Sequence, residues 1–275
     1  MPVTDAGPLL TTVVIPVWDR YVGPRFLDAI ESIRAQGRPA RLIVVDNAST
    51  VSLPELPEVD VIHSPERLSL GAARNAGLAR VETPYVMLWD ADDVMEPGTL
   101  GFLEAEMARD DELVAFGAVI IEEPGGVRHR WPRPWIRHLI GRPALFALLD
   151  CIWSMFPTTG ATLMRTAAVN ACGGYSDADS GDDWSLGSLL AFQGRFGWSE
   201  RPGRRYLQHE GSIWDTYGSG RHQLGHAAAV RQRLATSDVA PAWLRRALPL
   251  LAICQWSAVG AHLLAVRLRT ARRLS

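Results

Sequence analysis

Acidic side chains with the spacing of a cation site follow one of the buried strands that the sequence predicts. Asp90, Asp92 and Asp93 lie within the sequence WDADD, directly after the apolar run Tyr85–Leu88. Three carboxylates this close repel one another, and a bound cation would relieve that repulsion. Hard oxygen ligands select Mg²⁺ or Mn²⁺, and few protein ligands leave room for phosphate oxygens. An acidic turn that caps the next helix, near Pro97, is the alternative explanation.

The sequence contains no lysine, so each of its 28 basic residues is an arginine. A P-loop lysine, a Schiff-base lysine and a lysine general base are therefore excluded. Phosphate groups would have to be bound by arginine, by backbone N–H groups or by a metal ion.

The composition is that of an ordinary globular protein of 275 residues with a formal net charge of −2. This charge gives no basic field, so we expect no nucleic-acid partner. Three widely separated cysteines, Cys151, Cys172 and Cys254, argue against a disulfide framework and fit a reducing compartment. The first residues lack the pattern of a cleaved signal peptide. We therefore expect a cytoplasmic protein.

Short apolar runs alternate with helical patterns and predict the scaffold that positions the acidic cluster. Helices are predicted from Ser69 through Ala79 and over Asp182–Phe196, among others. Such alternation is typical of an α/β fold with a mostly parallel central sheet covered by helices on both faces. The predicted strands are Thr12–Val17, Arg41–Val45, Val59–Ile62, Tyr85–Leu88, Leu113–Ile121 and Thr159–Met164.

Polar or aromatic residues lie just beyond the carboxyl ends of three of these strands. They are Trp18, Asp46 and Asp90. Ligands of open α/β sheets bind at the carboxyl ends of the strands, so we expect these three residues to share one site. From about His222 onward the pattern is helical throughout. This predicts an α/β domain over residues 1–221 and a helical extension over residues 222–275.

Four short motifs occur in order along the first part of the chain. They are IPVWD at Ile15–Asp19, VVDNAST at Val44–Thr50, GAARNAG at Gly71–Gly77 and DADD at Asp90–Asp93. In this order and at these intervals they resemble the motifs of family 2 glycosyltransferases. The resemblance implies the GT-A fold, which is Rossmann-like. It also implies a metal-dependent, inverting transfer of a sugar from a nucleoside diphosphate sugar to an acceptor hydroxyl.

The resemblance gives Trp18 and Asp46 the role of holding the nucleobase. Trp18 would stack on the base, and Asp46 would accept a hydrogen bond from a base N–H such as that of uracil. A UDP-sugar is therefore the favoured donor, with dTDP- and GDP-sugars as alternatives. A core tryptophan and a turn-forming aspartate before Asn47 are the structural explanations of the same residues.

Residues of the third and fourth motifs would bind the rest of the donor. Arg74 would neutralise the diphosphate, because a guanidinium binds phosphate in a bidentate manner. Asp90 would lie near the ribose. Asp92 would ligate Mn²⁺ or Mg²⁺, with Asp93 as its helper. A surface arginine on a helix is the alternative for Arg74.

Two adjacent acids begin the predicted helix over Asp182–Phe196. Family 2 enzymes carry an acid–Asp–Trp motif at this point, and Asp183 matches the aspartate that deprotonates the acceptor hydroxyl. Asp182 stands where the family more often has glutamate, and we expect it to be a supporting or capping acid near the substrate. Capping of the helix is the structural alternative for both residues.

The resemblance also assigns His209, in the sequence RRYLQHEGS, as a further metal ligand. A glycine- and serine-rich stretch with two large aromatic residues follows it, over Gly211–Arg221. Such a composition suits a loop that closes over a ligand. Arg221 at its end would add a second phosphate contact.

Two other functions compete with glycosyl transfer. A sugar-1-phosphate nucleotidyltransferase needs a glycine-rich loop with a basic residue after the first strand, and PVWDR at Pro16–Arg20 is not such a loop. A sugar-nucleotide-binding protein without transferase activity could lose Asp92 or Asp183, and the chain retains both.

The helical extension leaves open what it packs against. Ala247–Val266 is about as long as a membrane span, and four arginines follow it. Pro249, Gln255, Ser257 and His262 interrupt its apolar character. We therefore favour helices that pack on the domain or on a second copy in a homodimer. Peripheral contact with the inner face of a membrane is the alternative.

Overall fold

A computed structural model describes residues 8–122, 129–131, 135–206 and 220–274. In this described part, nine strands form one sheet with the order β3-β2-β1-β4-β8-β6-β9-β5, and β7 pairs with β6. The strands are β1 Thr11–Val17, β2 Ala40–Asn47, β3 Val59–Ser64, β4 Tyr85–Leu88, β5 Val94–Met95, β6 Leu113–Glu122, β7 His129–Trp131, β8 Thr162–Arg165 and β9 Arg195–Tyr206.

Helices cover both faces of this sheet, as the sequence predicted. The α-helices are α1 Pro24–Arg34, α2 Leu70–Leu78, α3 Thr99–Ala108, α4 Ile136–Ile140, α5 Pro143–Ile152, α6 Thr166–Ala171, α7 Asp182–Leu190, α8 Gly220–Thr236, α9 Ala242–Arg246 and α10 Leu248–Leu274. A short 3₁₀ turn, Asp19–Tyr21, follows β1.

The sheet is parallel over its first four strands and mixed beyond them. Strands β3, β2, β1 and β4 pair in parallel. Strand β8 is antiparallel to both of its neighbours, β4 and β6, whereas β9 is parallel to β6. The carboxyl ends of the first parallel strands meet at one edge, which is where the predicted donor-binding residues lie.

Alternate residues of β1 enter two separate hydrophobic cores. Val14 belongs to a core that includes residues of α2, α5 and α7. Val13, Ile15 and Val17 belong to a second core that includes residues of α1 and α3. This explains why β1 has no polar and apolar alternation, since a strand covered on both faces buries every side chain.

The predicted helix over Asp182–Phe196 is too long, and its second half is wrong. Helix α7 ends at Leu190, and β9 begins at Arg195. Gly194 lies so close to β6 that a Cβ atom there would be 2.6 Å from the Glu112 carbonyl oxygen. The Arg195 N–H then donates to that same carbonyl, at 2.8 Å. Pairing with β6 therefore overrides the apolar helical pattern.

The C-terminal helices pack on the sheet domain. Helix α8 lies against α7, and α10 lies against α8 and α5. Helix α8 begins at Gly220, close to the predicted start of the helical extension near His222. The division into domains at residue 221 stays a prediction.

Helix α2 approaches the sheet closely because glycine faces the strands. A Cβ atom at Gly77 would lie 2.3 Å from Val14 Cγ1 and 3.1 Å from Val45 Cγ2. A Cβ atom at Gly71 would lie 1.8 Å from the Ser176 carbonyl oxygen. This close packing fixes the position of Arg74, which lies between the two glycines.

We expect Gly77→Ala to lower the free energy of unfolding by about 1–3 kcal/mol, because the new methyl group overpacks a buried contact. The matched control is Gly225→Ala in α8, where no atom lies within 4 Å of the added Cβ. Removing glycine from a helix interior should there raise stability by about 0.5–1 kcal/mol. Urea unfolding of both variants measures the difference. Equal changes in the two variants would contradict the close contact between α2 and β1.

Candidate active site

The two residues predicted to hold a nucleobase lie side by side. Strands β1 and β2 are parallel, and Val17 pairs with Asp46, so Trp18 follows directly beside Asp46. Trp18 is half-buried rather than part of the core. Its indole carries the Arg67 guanidinium on one face, 4.0 Å from the ring centroid, and Tyr21 edge-on at 4.7 Å. An aromatic platform therefore stands at the edge of the sheet.

Asp46 is held by two hydrogen bonds. The Ser49 backbone N–H donates to Oδ1 at 3.1 Å, and Nδ1 of His63 lies 2.9 Å from Oδ2. Burial opposes ionisation, but the hydrogen bonds from Ser49 and His63 outweigh it and lower the pKa of Asp46. Asp46 therefore remains an acceptor at neutral pH. Sequence reasoning missed His63. Its position directly after the predicted third strand was an available signal, and the structure shows that its side chain is largely exposed.

Asp90 bridges two buried arginines. Its Oδ1 lies 3.0 Å from Arg74 Nη2, and its Oδ2 lies 2.6 Å from Arg204 Nη2. Arg74 also donates to Asp182 Oδ2 at 2.6 Å, and Arg204 contacts Asp93. We refer to these five residues, Arg74, Asp90, Asp93, Asp182 and Arg204, as the Asp90 cluster. The cluster joins α2, α7, β9 and the turn after β4.

Burial and the two arginines have opposite effects on the pKa values of the carboxyl groups in the Asp90 cluster. Burial is the main cause that raises the pKa of Asp182, to about 6, although Arg74 opposes the shift. Burial also raises the pKa of Asp93, against the pull of Arg204. At Asp90 the two arginines outweigh burial and lower the pKa. Asp90 is thus the carboxylate of the cluster that both guanidinium groups stabilise most directly.

Arg74 is a buried residue, so the alternative of a surface arginine is wrong. It is 4% exposed, and both of its terminal nitrogens bind carboxylates. Its Nε has no hydrogen-bond partner among the residues that the structure describes. Contact between Arg74 and a diphosphate stays a prediction. What the geometry adds is that Arg74 holds Asp90 and Asp182 in place.

The two remaining acids of the WDADD motif differ in environment. Asp93 is fully buried, and its carbonyl accepts a hydrogen bond from Trp89 Nε1 at 3.0 Å. Asp92 is half-buried, and its charge, together with burial, raises the pKa of Tyr21. The explanation of the acidic cluster as a helix cap is wrong, because the N-cap residue of α3 is Gly98, which makes no side-chain cap hydrogen bond. The charge of Asp92 thus acts on Tyr21, the residue that packs edge-on against Trp18.

The adjacent acids of α7 also have different surroundings. Gly181, at φ +71°, is the N-cap residue of α7 and makes no side-chain cap hydrogen bond. Asp182 was predicted to be a supporting or capping acid, and of these two roles the structure shows the contact that supports Arg74. Asp183 is half-buried, and its Oδ1 accepts from the Trp184 backbone N–H at 2.8 Å. Burial raises the pKa of Asp183, with Arg74 acting against the shift.

Helix α8 covers the turn before α7. A Cβ atom at Gly181 would lie 2.5 Å from Cγ of the His226 ring, so only glycine fits there. His226 Nε2 also lies 2.6 Å from Ser180 Oγ. Arg221 lies in the first turn of α8 rather than in a loop, and its side chain is exposed. Among the described contacts, none joins Arg221 to the Asp90 cluster. The predicted metal ligand His209 lies outside the described residues.

A comparison of the sequence with protein-family models identifies the family of this chain. Residues 12–173 match the family model described as Glycosyl transferase family 2. The chain belongs to glycosyl transferase family 2. Membership favours a transferase enzyme over the nucleotidyltransferase and over the non-catalytic binding protein.

Relatives of this glycosyltransferase agree with the assignment. A Bacillus subtilis (strain 168) protein named "Uncharacterized glycosyltransferase YwdF" is 29% identical over 181 residues, which are 63% of this chain and 64% of that protein. The chain thus spans just under two thirds of this curated relative.

Solved structures of TarS from S. aureus share the fold. Residues 1–349 of TarS in complex with UDP-GlcNAc superpose with a TM-score of 0.65 and 14% identity, covering 89% of this chain and 70% of that one. The complex with UDP gives a TM-score of 0.59, also at 14% identity and with the same coverage of both chains. At this identity the likeness shows the GT-A fold alone.

Sequence reasoning missed Arg204 of this glycosyltransferase as a site residue. The only available signal was electrostatic, because the WDADD acids need positive charge and the chain has no lysine to supply it. Gly160, at φ +70°, makes room for the guanidinium, since a Cβ atom there would lie 2.2 Å from Arg204 Nη1. Arg204 therefore contacts Asp90 from β9, a strand that is remote from Asp90 in sequence.

We expect Asp182→Asn to lower the free energy of unfolding of this glycosyltransferase by about 3–5 kcal/mol, because it leaves buried Arg74 with one carboxylate fewer. Asp183→Asn should cost less than about 1 kcal/mol, because the amide oxygen can keep the hydrogen bond from Trp184. Urea unfolding near neutral pH distinguishes the two. Similar losses in both variants would contradict the different surroundings of these acids.

Proposed function

We propose that this glycosyltransferase moves a sugar from a nucleoside diphosphate sugar, with a UDP-sugar favoured, to an acceptor hydroxyl with inversion at the anomeric carbon. The observation that carries the proposal is the half-buried Asp183, whose pKa burial raises, next to the Asp90 cluster. A carboxylate with a raised pKa beside a group of buried charges has the properties of a general base.

The edge formed by β1 and β2 supports nucleobase binding. Trp18 offers an aromatic surface, and Asp46 is an ionised acceptor suited to a base N–H. The Arg67 guanidinium rests on the Trp18 ring, so a base would stack there by displacing Arg67 or by using the opposite face. TarS has been solved with UDP-GlcNAc and with UDP, and this supports uridine as the base.

The residues present fit a divalent cation that takes most of its ligands from the donor diphosphate. Asp90 and Asp93 bind Arg204, whereas Asp92 is half-buried on the same turn. In the described part of the chain, no three metal-ligating side chains come together. Asp92 would hold Mn²⁺ or Mg²⁺, with Asp93 and His209 as predicted helpers. A bound cation would neutralise negative charge on the leaving diphosphate.

The chemistry of transfer follows from the placement of the fixed charges. Arg74 and Arg204 hold Asp90, the residue predicted to contact the ribose, in one orientation. As the bond from the anomeric carbon to the diphosphate oxygen breaks, the acceptor oxygen attacks from the opposite face. Its proton passes to the Asp183 carboxylate. The anomeric configuration is inverted, and the products are the glycoside and the nucleoside diphosphate.

We expect UDP with Mn²⁺ to raise the melting temperature of the protein more than dTDP or GDP with Mn²⁺. A ligand at about 100 times its Kd stabilises a protein by about 2.7 kcal/mol. Asp92→Ala should abolish the part of this stabilisation that depends on Mn²⁺ while leaving the fold intact. The matched control is Asp28→Ala, an exposed acid on α1, which should behave like the wild type. Undiminished metal-dependent binding by Asp92→Ala would overturn the assignment of the ligand.

We expect Asp183→Asn to cut turnover by roughly 10²–10⁴-fold while donor affinity stays near that of the wild type. Release of nucleoside diphosphate from the donor, with water as acceptor, provides the assay. The base acts only when ionised, so wild-type turnover should fall as the pH drops through the raised pKa of Asp183, above the range near pH 4 of an ordinary aspartate. Near-normal turnover in Asp183→Asn, or its loss in folded Asp182→Asn instead, would mean that the two acids have the opposite roles.

A further inference from the structure

Helix α10 packs on the protein through one face only. Leu251, Gln255 and Val259, spaced four residues apart, are buried against the domain. Gln255 Nε2 donates to the Cys151 carbonyl at 2.8 Å, and Arg231 of α8 contacts Gln255 Oε1. These contacts fix how α10 is rotated about its axis. The face opposite these three residues must therefore point away from the domain.

The opposite face of α10 is apolar and exposed. Its large side chains recur at helical spacing, and each is between 55% and 63% exposed. Trp243 on the neighbouring helix α9 is 53% exposed as well. We call the set formed by Leu250, Ile253, Trp256, Leu264, Leu268 and Trp243 the apolar face. A soluble monomer rarely exposes so many contiguous apolar side chains, so a partner is expected to cover them.

The segment that carries the apolar face bears charged residues of one sign only. All acidic residues of the chain lie before Val239, and the residues from Val239 onward include six arginines. Two of them, Arg245 and Arg246, end α9 beside Trp243, and the other four, Arg267, Arg269, Arg272 and Arg273, belong to the last turns of α10. The rest of the chain is correspondingly acidic, since the formal net charge is −2. Two arginines thus follow Trp243 closely in sequence, and four more belong to the end of the helix that carries Trp256.

We propose that the apolar face docks on the surface of an anionic lipid bilayer, with α10 lying in the plane of the interface. Tryptophan and leucine side chains would enter the boundary between headgroups and acyl chains, and the arginines would bind anionic headgroups. An amphipathic helix with aromatic anchors and a basic end is the form that such surface helices take.

The structure favours lying on the membrane over crossing it. Leu248–Ala265 is long and apolar enough to span a bilayer by length and composition alone. To cross, however, α10 would have to leave the domain, which would strip Gln255 of its bonds to Cys151 and Arg231. Amide groups without partners are costly in hydrocarbon. Docking by the exposed face keeps all of these contacts.

Charge also favours a bilayer over a second copy of the chain. In a two-fold symmetric contact the same surface meets itself. Two copies joined by the apolar face would bring together two acid-free segments with six arginines each. An anionic surface is instead complementary to them, and each basic residue near such a surface strengthens binding several-fold.

The apolar face is not part of the proposed active site. Helix α10 packs on α8, and α8 packs on α7, where Asp183 lies. No residue of the apolar face belongs to the Asp90 cluster. The proposal therefore does not depend on the proposed function, and each can fail without the other.

Flotation of the full chain with vesicles tests the proposal. Binding to phosphatidylcholine vesicles that contain about 30% phosphatidylglycerol should be at least about tenfold tighter than binding to phosphatidylcholine alone, and it should weaken at high salt. Trp256→Ser should lower binding to the anionic vesicles by about tenfold. The matched control is Trp135→Ser, a tryptophan of similar exposure at the start of α4, which should bind as the wild type does. Ile253→Ser provides a second variant of the same face.

Replacing Arg267, Arg269, Arg272 and Arg273 by glutamine should remove most of the preference for anionic over neutral vesicles. Circular dichroism and donor hydrolysis, measured on each variant, show that loss of docking does not come from unfolding or from a damaged active site. Absence of vesicle binding by the wild type, or equal losses in Trp256→Ser and Trp135→Ser, would overturn the proposal. A dimer in sedimentation velocity that Trp256→Ser dissociates, without vesicle binding, would assign the face to a second copy and also overturn it.

Discussion

The bridge that Asp90 forms between two buried arginines is the interaction on which the site depends. A guanidinium cannot lose its charge under ordinary conditions, so burying Arg74 and Arg204 requires carboxylates at fixed positions. Asp90 supplies one oxygen to each arginine, and Asp182 and Asp93 complete the set. Four segments far apart in sequence are thereby held within hydrogen-bond distance of one turn. Removing one partner would leave a buried charge that the other segments must accommodate.

The close packing around this bridge explains where glycine is required. Gly71 and Gly77 let α2 approach the protein closely on both sides of Arg74, and Gly160 leaves space for the Arg204 side chain. Each of these positions would place a Cβ atom within 2.5 Å of a neighbour. The glycines of the third motif therefore have a structural reason that is separate from contact with a donor. Rigid placement of charged groups is also what a transferase needs, because charges fixed before the reaction need not reorganise during it.

The sequence predicted the parts of the fold and site that are local. The first four strands, the helix capped by Ser69, and the position of Trp18 beside Asp46 follow from apolar periodicity and from strand ends, and the structure confirms them. The predicted end of α7 was wrong because it depends on a non-local contact with β6. The contact between Asp182 and Arg74 is also non-local and was not predicted. Arg204 was missed for the same reason, since a strand pattern does not reveal which distant carboxylate a strand residue will meet. The roles of the acids in catalysis and metal binding stay a proposal.

The contact between His226 and Gly181 gives the C-terminal helices a mechanical connection to the start of α7. The ring rests against a backbone with no room for a side chain, so α8 cannot advance toward α7 without moving Gly181. Asp182 and Asp183 follow directly, and their carboxylates would move with that turn. A displacement of α8 toward α7 would therefore press on the backbone that directly precedes the two acids.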